Sequence, residues 1–138
     1  MNNVHHPGEA DTEAALAALA TRMFDTARHG DVATLRAYLE AGLPVNLTND
    51  RGDTLLMLAA YYGHPPLVQL LCHRGAEVNR CNDRNQSPLA GAVFKDQEAV
   101  VALLVEHGAD ATLGTPSARQ TAQMFGQDHL TAVLLPHE

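Results

Sequence analysis

Apolar positions recur along this chain in short blocks that match helices, and the blocks themselves recur. Val68, Leu70 and Leu71 return as Val101, Leu103 and Leu104, and Ala59 returns as Ala92. Spacings of three and four residues place such side chains on one helix face, toward a neighbouring element. Glycines punctuate the pattern at Gly42, Gly75 and Gly108, each 33 residues after the last. The segment Gly42-Leu-Pro-Val45-Asn46 returns as Gly75-Ala-Glu-Val78-Asn79 and as Gly108-Ala-Asp-Ala111-Thr112. A fixed period of this length predicts stacked supersecondary units rather than one closed core.

Each unit is expected to hold two short antiparallel helices followed by a turn. The first pair spans Thr21 to His29 and Asp31 to Ala41, with the first helix reaching back toward residue 12. Asp11 or Thr12 is the expected N-cap of that extension. The second pair spans Thr54 to Tyr62 and Pro65 to Arg74, and the third Ser87 to Lys95 and Gln97 to His107. Asp96 stands where Gly30 and Gly63 make the turn, and Asp tolerates the left-handed conformation that such turns require. Aligning Ser117 with Thr54 places Gly126 on Gly63 and gives a shorter fourth unit ending near Pro136. The expected organisation is a mobile tail over 1–10 and one domain over 11–138. Its units fall near 17–49, 50–82, 83–112 and 113–138.

Composition removes several function classes. The net charge is −7 over 138 residues, and Lys95 stands alone among scattered arginines. Phosphate backbones and anionic lipid heads repel such a chain, so neither nucleic acid nor a membrane is an expected partner. The longest apolar run, Leu55 to Tyr62, is too short to cross a bilayer. Met1 to Ala20 contains no Lys or Arg, against the charge pattern of a secretory signal. Cys72 and Cys81 form no CxxC pair and suit a reducing compartment, so a cytoplasmic location is expected. The sequon Asn46-Leu47-Thr48 is then read as chance.

The chemistry of catalysis is missing from the motifs. The chain has no Gly-x-Ser-x-Gly elbow, no Walker loop and no Rossmann fingerprint. Asp50, Asp53 and Asp83 on solvated turns have nothing to raise a carboxyl pKa. His64 is expected to make a structural bond in a helix turn. His73 and His107 suit helix C-termini, while His29 and His129 have no evident carboxylate companion. The expectation is no enzyme, no cofactor and no metal site.

The run Asn49-Asp50-Arg51-Gly52-Asp53-Thr54-Leu55-Leu56-Met57-Leu58-Ala59-Ala60, then Gly63-His64, then Leu70-Leu71 and Gly75 to Asn79, resembles the ankyrin repeat. Ser87-Pro88-Leu89-Ala90-Gly91-Ala92 resembles its Thr-Pro-Leu-His-x-Ala core, with Asn85 in the place of a turn glycine. The resemblance covers about residues 17–135. The Ala-rich, Arg-over-Lys composition is similar to that of small bacterial ankyrin proteins. The resemblance to the ankyrin repeat implies an all-α solenoid of about four helix-turn-helix units joined by short β-hairpin loops.

The resemblance also implies a partner face of hairpin tips and first-helix surfaces. Carried onto this chain, the tips supply Asp50, Arg51 and Asp53, then Asp83, Arg84 and Gln86. The first helices supply Arg28 and His29, Tyr61 and Tyr62, Phe94 and Lys95, and Met124 and Phe125. Four of the six aromatic side chains fall in that series, and aromatic and Arg side chains anchor protein interfaces. The leading expectation is a monomeric adaptor or inhibitor that holds a protein or peptide. The alternatives are end-to-end self-association through Leu130, Val133 and Leu134, or a regulator using the histidines to bind a metal or small molecule.

Overall fold

The computed structural model describes residues 9–135. Eight helices occur among them: α1 (Glu9–His29), α2 (Val32–Glu40), α3 (Leu55–Tyr61), α4 (Pro65–His73), α5 (Pro88–Phe94), α6 (Glu98–Glu106), α7 (Ala118–Met124) and α8 (Asp128–Leu134). Residues 1–8 of the expected tail, with His5 and His6, lie outside the described residues, as does His137. Glu9 and Ala10 are helical, so α1 starts ahead of Asp11 and Thr12 and neither caps it.

Hydroxyl side chains start the inner helices. Thr54 Oγ1 accepts from Met57 N at 3.1 Å, Ser87 Oγ from Ala90 N at 3.0 Å and Ser117 Oγ from Gln120 N at 3.2 Å. Gln120 Oε1 accepts in return from Ser117 N at 2.8 Å, completing a capping box. All three caps are buried, so each satisfies a helix donor that water does not reach. At the turn after α5 the backbone needs a positive φ, and Asp96 supplies it at 55°; Asn85 does the same at 59°.

The second helices α4, α6 and α8 start differently. Their N-cap residues His64, Gln97 and Gln127 make no capping bond. Each side chain instead reaches the preceding unit. His64 Nε2 bonds Arg28 O at 2.6 Å, Gln97 Nε2 donates to Tyr61 O at 3.3 Å and Gln127 Nε2 to Val93 O at 2.8 Å. His64 must therefore carry its proton on Nε2, since a carbonyl only accepts. One residue per unit thus satisfies a carbonyl near the end of the previous inner helix.

The helices form two rows. α1, α3, α5 and α7 pack in succession, α2, α4, α6 and α8 form the second row, and each pair packs within itself. The core runs continuously between the rows: Ala27, Leu35, Leu55, Leu67, Val68, Leu71, Ala92, Val101 and Leu104 are fully buried. Ala59 and Ala92 have no exposed surface, as the close approach of successive inner helices requires. Leu130 and Leu134 are only 3% and 2% exposed. They belong to this core, which leaves the partly buried Val133 as the one of the three expected end-face residues with appreciable accessible surface.

The projecting connections are tight turns rather than extended hairpins. Isolated antiparallel bridges join Thr48 to Thr54 and Gly114 to Ser117, with no strand among the described residues. Asn49 Oδ1 accepts from the amides of Arg51 and Asp53 at 2.9 and 3.0 Å; Asn82 Oδ1 accepts likewise from Arg84 and Gln86, both at 3.0 Å. Consecutive tips are laced together, Asp83 N donating to Arg51 O and Thr115 N to Asn85 O, each at 3.0 Å.

Candidate functional site: a cleft beneath the turn tips

Where the tips overhang the inner helices they enclose an open cleft of about 480 Å³. Its walls are Arg51, Asp53, Asn82, Arg84, Gln86 and Pro116 from the connections. Its floor is Arg28 from α1, Met57, Leu58 and Tyr61 from α3, Ala90, Gly91 and Phe94 from α5, and Thr121 from α7, with Tyr62 and Ser87 at helix boundaries. The repeat thus gathers in one place residues that lie 33 positions apart in the chain.

Eight of the expected site residues line this cleft: Arg28, Arg51, Asp53, Tyr61, Tyr62, Arg84, Gln86 and Phe94. The aromatic pairs are stacked edge to face, Tyr61 with Tyr62 at 5.3 Å between centroids and Phe94 with Phe125 at 5.5 Å. Tyr62 and Phe94 remain 48% and 53% exposed, so both keep surface available to a ligand. Lys95 lies outside the lining but places Nζ 5.3 Å from the Tyr61 centroid, a cation–π contact that fixes the ring.

Six residues of the expected set do not line the cleft. Lys95, Met124 and Phe125 are exposed beside it. His29 is occupied locally, its Nδ1 2.8 Å from Asp25 O. Asp50 and Asp83 are exposed at the tips, and Asp83 lies against Gly52 of the neighbouring tip, where a side chain on residue 52 would collide with it. Arg51 and Arg84 line the cleft, whereas the aspartates that precede them do not.

Several lining residues were not anticipated. Leu58, Gly91 and Thr121 are equivalent, each four positions after the capping Thr54, Ser87 or Ser117. That register was the signal available for finding them. Asp53 and Asn82 were also joined by the fold, with Asn82 Nδ2 donating to Asp53 Oδ1 at 2.9 Å.

His129, expected to lack carboxylate companions, has two. Its Nε2 is 2.7 Å from Asp96 Oδ1 and 3.2 Å from Glu98 Oε1, across the junction of the third and fourth helix pairs. The hydrogen bond to Asp96 and the nearby carboxylates raise its pKa above the ordinary 6.5. The trio offers metal-type donors within 4.8 Å of one another, but all three side chains are exposed, and the geometry is that of a salt-linked clasp. Elsewhere, burial pushes the Cys72 thiol up to about 11 and raises that of Cys81. Both cysteines are free and chemically quiet near neutrality.

A family profile for ankyrin repeats (3 copies) matches residues 23–115, more than half of the chain. The chain belongs to the ankyrin repeat family. It is also similar to a curated Pseudomonas aeruginosa protein named for ankyrin repeats, 51% identical over 49 residues. That alignment covers 36% of this chain and 29% of the relative, so the match spans less than a third of the relative's length. Ankyrin repeats are in general protein–protein interaction modules without enzymatic activity. In this ankyrin stack no helix among the described residues is long and apolar enough to cross a membrane.

Proposed function

We propose that this ankyrin repeat protein is a non-catalytic adaptor or inhibitor that holds one protein partner, or a peptide segment of it, in the cleft beneath its tips. The supporting observation is the row of ring faces there, with Tyr62 and Phe94 about half exposed in a molecule whose other large apolar side chains are mostly buried. Exposed aromatics flanked by arginines have the composition of an interface centre. The surface is also preformed. Caps, laced tips and the His64, Gln97 and Gln127 bonds fix its backbone, so little ordering accompanies binding.

The cytoplasm is the proposed compartment, and a monomer the proposed state. The test is affinity capture from the source cells with wild type beside a Tyr62→Ala, Phe94→Ala double variant, the helical content of both confirmed by circular dichroism. A protein held by wild type and lost by the folded variant supports the reading. Identical capture by both would remove the cleft from consideration.

A further inference from the structure

Two features of the cleft specify the chemistry of what it takes, given the reading of it as a partner site. The first is charge. The chain as a whole carries −7, yet the cleft is lined by Arg28, Arg51 and Arg84 against Asp53 alone. Asp53 is already engaged as the acceptor of Asn82 Nδ2. Arg28 on the cleft floor pairs with Asp25 at 2.6 Å, as Arg74 does with Glu40 at 3.2 Å and Arg80 with Glu77 at 3.4 Å. Arg51 and Arg84 form no salt bridge among the described residues. Two arginines free of ion pairs among the described residues, Arg51 and Arg84, thus overhang the aromatic groove of an acidic molecule.

The second feature is a gap. Gly91 lies in the middle of α5 on the cleft floor, flanked in register by Leu58 and Thr121. Glycine inside a helix is unfavourable relative to alanine, so packing would normally have to demand it. It does not here. A Cβ on Gly91 would meet a single atom within 4 Å, Tyr61 Cδ2 at 3.6 Å, which is ordinary contact. Unlike Gly30 and Gly63, whose added Cβ would collide with His64 and Gln97, Gly91 leaves an unfilled hollow beside an aromatic ring.

We infer that the cleft binds an extended acidic peptide segment, with an apolar side chain seated over Gly91 against Tyr61 and carboxylates on Arg51 and Arg84. The spacing of those carboxylates follows from the fold. Packed helices stand about 8–10 Å apart, and an extended chain advances about 3.3 Å per residue. Side chains on one face of an extended chain repeat every second residue, about 6.6 Å, so acids two residues apart, met by long arginine side chains, suit one contact per tip.

A display library of random dodecapeptides, selected on immobilised wild-type protein, tests this. Enrichment of peptides with paired Asp or Glu about an apolar residue is expected, with affinity falling as salt rises. Arg51→Ala and Arg84→Ala should each weaken the selected peptides about tenfold. Gly91→Ala should weaken them by a similar factor while raising the melting temperature, which separates filling of the hollow from loss of fold. Neutral or basic peptides that still depend on Tyr62 and Phe94 would overturn the acidic-segment inference and leave the cleft as the binding site. Peptides indifferent to every cleft variant would overturn both. A library yielding no binder, or a Gly91→Ala protein with unchanged affinity for acidic binders, would also count against the inference as stated.

Discussion

The two sides of this stack differ in which side chains they leave open. Along the second helices and the connections after them, Arg74 and Arg80 are paired with carboxylates, and His73 packs edge to face against His107. Beneath the tips, Arg51 and Arg84 are unpaired among the described residues, and the rings of Tyr62 and Phe94 are half exposed. Ion pairing alone does not divide the sides, since Arg28 under the tips pairs with Asp25 and Arg36 on α2 forms no salt bridge among the described residues. The exposed rings, Tyr62, Phe94 and Phe125, all stand at the ends of inner helices. Stability and recognition are thereby assigned to different residues, and substitutions should separate them.

The largest effect should come from the core between the rows. Leu71 is fully buried, and Leu71→Ala should cost about 2–5 kcal/mol in denaturant unfolding. Tyr62→Ala, on the open side, should change stability by no more than about 0.5 kcal/mol. Equal losses from the two variants would break the proposed division. A smaller effect is expected at the junction of the last two helix pairs. Gln127→Ala removes the 2.8 Å bond to Val93 O from a buried amide and should cost about 1–2 kcal/mol. Hydrogen exchange should show that loss mainly in α7 and α8.

Gly91→Ala runs in the opposite direction. With a helical backbone and room for the methyl group, it should stabilise the protein by about 0.5–1 kcal/mol. The smallest effect is the pH response of the clasp. The raised pKa of His129 means that its contribution is fully present below its ordinary 6.5 and is lost as pH rises through the higher folded value. Wild type should lose a little stability over that alkaline-going window, and His129→Ala should flatten the profile when melting is followed at several pH values.

The fold was legible because the repeat writes its physics into short-range sequence. Thr54, Ser87 and Ser117 recur in register at the starts of the inner helices, and Asp96 occupies a turn that its periodic equivalents mark with glycine. The tip and ring residues were legible for the same reason. A position known in one unit transfers to the next, which found Arg51 with Arg84 and Tyr61 with Phe94. The direction of each side chain did not transfer. Asp50 and Asp83 immediately precede Arg51 and Arg84 yet do not line the cleft, and Asp83 packs instead against Gly52 of the neighbouring tip.

The hollow over Gly91 was harder to read, since it is defined by what surrounds a missing side chain. The His129 clasp joins positions one repeat apart. Its carboxylates, Asp96 and Glu98, sit one unit earlier in the chain, beyond the reach of local sequence spacing.

Photo-crosslinking tests the division of faces most directly. A benzophenone amino acid would be placed at Tyr62, in the cleft, and separately at Arg36, exposed on the second-helix row, and each protein irradiated in the source cells. The account predicts a discrete partner adduct from position 62 and none from position 36. Adducts from position 36 alone, or the same adduct equally from both, would contradict it.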